Sequence, residues 1–250
     1  MNTNYDELSA GYDERYEQSK LKGTVEFLKK FVSGRTVEIG CGTGYWLKRL
    51  SDLPVRLVGV DYSKGMLRKA NINARKKNIA FVRAKAEELP FKENVFDFAF
   101  CVNALHHFQE KEKFLRKTNE MLRNEGSLAI VFTDIYDSNY HWYVYDFFER
   151  AFEIDKKRIL RTETLLSLME KAGFGSIRVE TVEIKEETRI GEKVFEDHFL
   201  LKEGNSTLFA LSEEEYKAGI SKIKKEIQKN SSAEFHSRII FRAVIGKVKK

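Results

Sequence analysis

The sequence predicts an α/β protein with a doubly wound, mostly parallel sheet and an antiparallel last strand, and three observations carry that prediction. Short apolar runs alternate with amphipathic stretches over residues 24–132, the pattern of parallel strands covered on both faces by helices. One of these runs, Phe96–Val102, is apolar at every position except Asp97, as a central strand with two buried faces requires. Another, Thr36–Ile39, runs straight into Gly40-Cys41-Gly42-Thr43-Gly44, a strand-to-helix bend in which the backbone can approach a ligand because no Cβ intervenes.

Taken in order, residues 1–22 are polar, with Tyr5, Tyr12 and Tyr16 on a thin helical face. Val25, Leu28, Phe31 and Val32 recur at helical spacing and predict a helix over 24–32. After strand 36–39 and the glycine bend, a helix over 45–51 buries Trp46, Leu47 and Leu50, and Val55–Val60 is a second strand ending at Asp61. Ser63 is a good N-cap for the helix that follows. Ile79–Val82 is a third strand, and Pro90-Phe91 marks a loop before strand 96–102. A helix over 110–123 puts Phe114, Leu115, Thr118 and Leu122 on one face, with Gly126 as its C-cap, and Ser127–Phe132 is a fifth strand.

Downstream, residues 134–160 are rich in aromatics: Tyr136, Tyr140, Trp142, Tyr143, Tyr145, Phe147, Phe148 and Phe152. Two readings stand side by side, a helix packed into the core and a cap lining a substrate pocket. A helix over 162–172 and a strand over 177–184 continue the alternation, whereas residues 186–210 match no single pattern. Ser212-Glu213-Glu214-Glu215 is a capping box, and Tyr216, Ile220, Ile223 and Ile227 give the next helix a buried stripe. Arg238–Ile245 closes the chain as a strand suited to antiparallel pairing, which makes seven.

At 250 residues, with 42% hydrophobic and 33% charged residues, the composition is that of a globular protein. No apolar run approaches the ~20 residues of a membrane span. The start, Met1-Asn2-Thr3-Asn4, lacks the basic-then-apolar pattern of a secretory leader, so a cytoplasmic location is expected. Cys41 and Cys101 sit in apolar or glycine-rich settings and read as small buried hydrophobes; no metal site is expected. The net charge of +6 admits a nucleic-acid partner, but acids and bases interleave along most helices instead of forming a stripe.

The chemistry concentrates where strands end, beyond the carboxyl edge of a parallel sheet. The dinucleotide fingerprint Gly-x-Gly-x-x-Gly does not fit: counted from Gly40 its last place is Tyr45, and from Gly42 it is Leu47. The observed pattern, Glu38-x-Gly40-x-Gly42-x-Gly44, is tighter and is preceded by a carboxylate. An acid at a buried strand end costs free energy without a partner, and a ligand ammonium group is one partner that would suit it. Asp61, ending the second strand, stands where an acid accepts both hydroxyls of a ribose. His106 and His107 follow the fourth strand and Asp134 ends the fifth; a histidine with a carboxylate nearby can take a proton from a substrate, and paired histidines at a helix start can equally cap or pack.

Four blocks in order carry a resemblance: Val37–Gly44; Val58-Gly59-Val60-Asp61-Tyr62-Ser63 through Leu67; Ala86-Glu87-Glu88-Leu89-Pro90-Phe91; and Phe96-Asp97 through His106-His107-Phe108, with Glu120–Leu128 continuing the series. Over residues 30–135 the chain resembles the class I S-adenosylmethionine-dependent methyltransferases, in the branch of the ubiquinone/menaquinone-biosynthesis enzymes. The resemblance implies a Rossmann-like seven-stranded sheet in a single domain over 1–250. Residues 1–22 would form an N-terminal lid, 23–134 the cofactor-binding half, and 135–160 and 186–235 the substrate-side insertions.

It also implies that Gly40, Gly42 and Gly44 line the methionine and ribose of S-adenosylmethionine, that Glu38 lies near its ammonium, and that Asp61 holds the ribose. Tyr62 and Met66 would pack on adenine, the Ala86 backbone and Glu87 side chain would meet its edge, and Val102 and Asn103 would face the sulfonium. Relatives often carry Asp or Asn before this alanine; Lys85 stands here, which leaves Glu87 as the acceptor for the adenine amino group. Tyr12 would fold over the cofactor. Methyl transfer leaves S-adenosylhomocysteine and needs a base only if the nucleophile arrives protonated. A small-molecule acceptor is the preferred expectation; an RNA or protein methyltransferase and an inactive cofactor-binding regulator are the alternatives.

Overall fold

Each strand of the parallel sheet is a short apolar run that turns at its carboxyl end into a polar loop. The protein is described from a computed structural model in which residues 21–74 and 78–249 are described; Tyr12 and the expected lid lie outside them. Helix α1 (Lys22–Lys29) precedes β1 (Arg35–Ile39), in which all residues after Arg35 are buried. Then come α2 (Tyr45–Leu50), β2 (Arg56–Asp61), α3 (Lys64–Asn73), β3 (Ile79–Arg83), β4 (Phe96–Val102), α4 (Lys111–Met121) and β5 (Leu122–Thr133). The remainder is β6 (His141–Trp142), α5 (Val144–Phe147), α6 (Ala151–Arg158), α7 (Thr162–Lys171), β7 (Phe174–Ile190), α8 (Ser206–Phe209), α9 (Glu213–Lys229) and β8 (Glu234–Val248).

The sheet has eight strands in the order β3-β2-β1-β4-β5-β8-β6, with β7 paired to β8. β1 to β5 pair in parallel, and β8 runs antiparallel to both β5 and the two-residue β6. The chain crosses from one side of β1 to the other between β3 and β4, so β1 and β4 flank the switch point where ligands of such sheets bind. Asp97, the one acid in the central strand, sits at the opposite end. Its Oδ2 accepts the Arg35 N–H at 2.7 Å and its Oδ1 pairs with Arg123 at 2.6 Å.

Two compact units emerge. One comprises Leu21–Thr133, Leu160–Glu183 and Phe241–Lys250; the other contains Asp134–Ile159 and Ile184–Ile240. The first is built around Phe96, Ala99, Cys101, Phe114, Leu128, Ile130 and neighbours, all buried. The second has its own core of Tyr143, Val144, Phe148, Leu208, Ile223 and Phe235. The aromatic stretch therefore divides: Tyr143 and Phe148 are core, whereas Tyr136, Tyr140, Trp142, Tyr145, Phe147 and Phe152 are half-buried. A polar cluster braces this second unit. The buried Asp155 accepts from Tyr145 at 2.7 Å, from Arg158 Nε and Nη2 at 2.9 and 2.7 Å, and from Thr207 at 3.0 Å.

Local signals held where side chains speak to their own backbone. Ser63 accepts the Met66 N–H at 3.1 Å, and Ser212 with Glu215 forms the full capping box of α9. Gly126 does not cap α4. The chain passes from Met121 directly into β5, and Glu125 takes the left-handed conformation at φ 61°. A Cβ on Gly126 would lie 2.8 Å from the Arg123 carbonyl oxygen, so its glycine serves the tight turn itself. Strand pairing also extends β7 and β8 beyond the expected 177–184 and 238–245. The unpatterned residues 186–210 become the end of β7, two 3-10 turns and α8, which Asn205 caps by accepting from Thr207 and Leu208.

Candidate cofactor site

The glycine bend is fixed by hydrogen bonds across the strand ends. Gly40 and Cys41 both donate to the Val60 carbonyl, at 2.8 and 2.9 Å, which carries the chain over the end of β2. Gly40, Gly42 and Gly44 all have positive φ, at 75°, 52° and 75°. The reason differs along the loop. A Cβ on Gly40 would stand 2.5 Å from the Ala104 Cβ, and one on Gly44 would press on the Phe81 ring at 3.1 Å. These two glycines let protein close on protein, Gly40 at the switch point itself. Gly42 donates its N–H to Asp61 Oδ2 at 2.8 Å, while Ser63 N–H binds Asp61 Oδ1 at 2.8 Å. The backbone thus aims the Asp61 carboxylate, each oxygen of which has the capacity for more than one hydrogen bond.

Glu38 supplies the test of whether this end fits an S-adenosylmethionine-like ligand. It is 1% exposed and its Oε2 has no hydrogen-bond partner. Burial, and secondarily the Asp61 charge, hold its carboxyl well above the usual carboxylate range; a hydrogen bond from the Leu47 backbone opposes this. A buried acid in that state is completed by a cationic donor, which is what the ammonium of a methionine moiety offers. The residues fit the group.

The other residues expected to meet the cofactor occupy varied settings. Tyr62 is 59% exposed, with the Arg83 guanidinium 5.4 Å and the Lys85 ammonium 5.9 Å from its ring centre. Met66 is closed into the core, and Ala86 and Val102 are buried. Asn103 sits at φ 47°, a conformation few non-glycine residues adopt, while its N–H donates to Val131 at 2.8 Å. The Oε1 of Glu87 accepts the N–H groups of Gln109 and Glu110 at 2.7 and 3.2 Å. His106 and His107 lie half-buried in a 3-10 turn, Leu105–His107, with ring centres 3.9 Å apart. Asp134 belongs to the other unit, where it is buried and accepts the Tyr136 N–H at 3.1 Å.

Both cysteines are buried; burial raises the Cys41 thiol and pushes Cys101 up to about 12, which leaves neither as a ready nucleophile. Among the described residues no group of three or more His, Cys, Asp or Glu could hold a metal ion, and no helix is long and apolar enough to cross a membrane. Sequence reasoning missed Ala104 and Phe108, which pack on Gly40. A small residue two places past a strand end carries no signal of its own until the switch point brings it there.

A methyltransferase-domain family model matches residues 37–130, the stretch from the end of β1 into β5. The chain is 30% identical over 195 residues to protein MJ1123 of Methanocaldococcus jannaschii, covering 73% of this chain and 86% of that one. It belongs to the class I S-adenosylmethionine-dependent methyltransferases.

A second relative is the ubiquinone/menaquinone biosynthesis C-methyltransferase UbiE of Wigglesworthia glossinidia brevipalpis, 32% identical over 104 residues, 39% of this chain and 42% of that one. In fold the chain is similar to Haemonchus contortus phosphoethanolamine N-methyltransferase 2 in complex with S-adenosyl-L-methionine, with a TM-score of 0.64 at 18% identity, covering 98% of this chain and 57% of that one. The methyltransferase uses S-adenosylmethionine. When bound, the cofactor would supply an already activated sulfonium methyl, and Asp61, Glu38 and the glycine bend are the residues that would hold it.

Proposed function

We propose that this methyltransferase acts on a small-molecule acceptor, and that the second compact unit supplies the surface that selects it. The observation that carries the reading is the set of half-buried aromatics, Tyr136, Tyr140, Trp142, Tyr145, Phe147 and Phe152, on a unit with its own braced core. Half-buried rings on a rigid support are the common lining of small-ligand sites. The named activities of the UbiE and phosphoethanolamine enzymes, both on small molecules, favour the same reading.

The residues proposed to bind the cofactor are Glu38, Gly40, Gly42, Gly44, Asp61, Tyr62, Met66, Ala86, Val102 and Asn103, with Tyr12 as a lid. His106 and His107 are the candidates for removing a proton from the nucleophile, and Asp134 is the candidate acid. Replacing the histidine that acts as base by Gln lowers turnover by about a hundredfold or more for a hydroxyl acceptor, and leaves an already deprotonated nucleophile unaffected.

A second reading, transfer to RNA, draws on the net charge of +6 and on Lys217, Lys224 and Lys225, which are exposed along α9. One experiment separates the two. Incubation with methyl-labelled cofactor and fractionated cell extract is expected to place label in a low-mass pool. Label confined to RNA or protein overturns the small-molecule reading, and salt-dependent retardation of bulk tRNA then identifies the polyanion.

A further inference from the structure

The loop that carries the two histidines is held from three sides. On the first side, Ala104 and Phe108 close on Gly40: a Cβ there would lie 2.5 Å from the Ala104 Cβ and 3.4 Å from the Phe108 ring. On the second, Glu87 Oε1 takes the N–H groups of Gln109 and Glu110, at 2.7 and 3.2 Å. These donors stand at the entry to α4, where no carbonyl of the preceding turn is available to them. On the third, Lys111 opens α4 and reaches back, its Nζ donating to the Phe108 carbonyl at 2.9 Å.

A lysine at this end of a helix opposes the macrodipole. Partial burial lowers the Lys111 pKa, and the charge of Glu87 works against that lowering. Between these holds lies the single 3-10 turn Leu105–His107, closed by His107 N–H to Ala104 and Phe108 N–H to Leu105, at 2.9 and 3.1 Å.

We infer that Glu87 is a positioning residue, which caps the entry to α4 and so holds the His106–His107 turn against the glycine bend, and that it is not the acceptor for the adenine amino group. The capping stands on the geometry alone; its consequence for turnover rests on the proposed role of the histidines. A carboxylate whose Oε1 receives two backbone donors is oriented toward them, and the loop carrying Ala86 is thereby tied to the loop carrying the histidines.

The test compares the full-length protein with its Glu87→Ala and Glu87→Gln variants. Amide hydrogen exchange over residues 104–111 is expected to accelerate about tenfold in Glu87→Ala, the fold-change that loss of one helix cap represents. Glu87→Gln is expected to stay close to wild type, because its amide oxygen accepts the same two N–H groups. Calorimetric affinity for S-adenosylhomocysteine is expected within about threefold of wild type in both variants, as for a residue outside the ligand contacts. At saturating cofactor, label transfer into the acceptor fraction falls about tenfold or more in Glu87→Ala and is restored in Glu87→Gln.

Unchanged exchange over 104–111 in Glu87→Ala overturns the inference. So does a loss of S-adenosylhomocysteine affinity in both variants with exchange unaltered, the mark of an adenine contact. Failure of the wild-type protein to bind S-adenosylhomocysteine refutes the cofactor assignment instead, and the exchange comparison still decides the cap.

Discussion

Glu38 and Asp155 are the least exposed acids among the described residues, and they live opposite lives. Asp155, 3% exposed in the second unit, receives hydrogen bonds from Tyr145, Arg158 and Thr207. Glu38, 1% exposed at the end of β1, leaves Oε2 without a partner. A saturated buried acid braces its own unit, and removing it strands its donors. An unsatisfied one at a strand end is a cost carried until a ligand arrives. The contrast separates scaffold from site without reference to any relative.

Substitutions sharpen that contrast. The largest effect on stability is expected from Asp155→Ala, which removes the buried acceptor shared by Tyr145, Arg158 and Thr207. A loss of about 3–5 kcal/mol in denaturant unfolding is expected, with S-adenosylhomocysteine affinity of the folded fraction unaltered. Gly40→Ala comes next. Its Cβ would meet that of Ala104 at 2.5 Å on a backbone at φ 75°, and strain with overpacking costs about 2–4 kcal/mol. Here cofactor affinity falls together with stability, because the displaced loop carries Gly42 and its bond to Asp61.

Glu38→Gln inverts the pattern. Burial raises the Glu38 carboxyl above its ordinary 4.5, so above that pH the native state holds a proton that the unfolded chain has released. Stability of the ligand-free protein therefore declines as pH rises until the native carboxyl ionises. The glutamine variant lacks this decline and gains on wild type between acid and neutral pH, by about 1–3 kcal/mol, while its affinity for S-adenosylhomocysteine drops. Urea midpoints at several pH values check the sign; a wild type that gains on the variant as pH rises places a charged, satisfied carboxylate at 38.

Legibility in the sequence followed the range of the interactions. The order of strands and helices, Ser63, the capping box at Ser212 and Asp61 at the end of β2 could all be read, because periodicity and capping act within a few residues. The role of Gly126 was misread, and the backbone partners of Glu87 were missed. The first depends on a left-handed Glu125 and the second on backbone N–H groups 22 and 23 residues away. The Asp155 cluster joins Tyr145 to Thr207, which no local pattern connects. The glycine bend shows both sides of this: its spacing excluded the dinucleotide fingerprint, yet only packing reveals that Gly40 and Gly44 make room for Ala104 and Phe81.

Asp61, aimed by Gly42 and Ser63, is proposed to hold the cofactor beside Glu38. Calorimetric titration of wild type and Asp61→Ala with S-adenosylhomocysteine tests it most directly. Micromolar-range binding by wild type, weakened in the variant by about thirtyfold or more from loss of charge-assisted hydrogen bonds, is the predicted result. Equal affinity in the two proteins, or no binding by wild type, contradicts it.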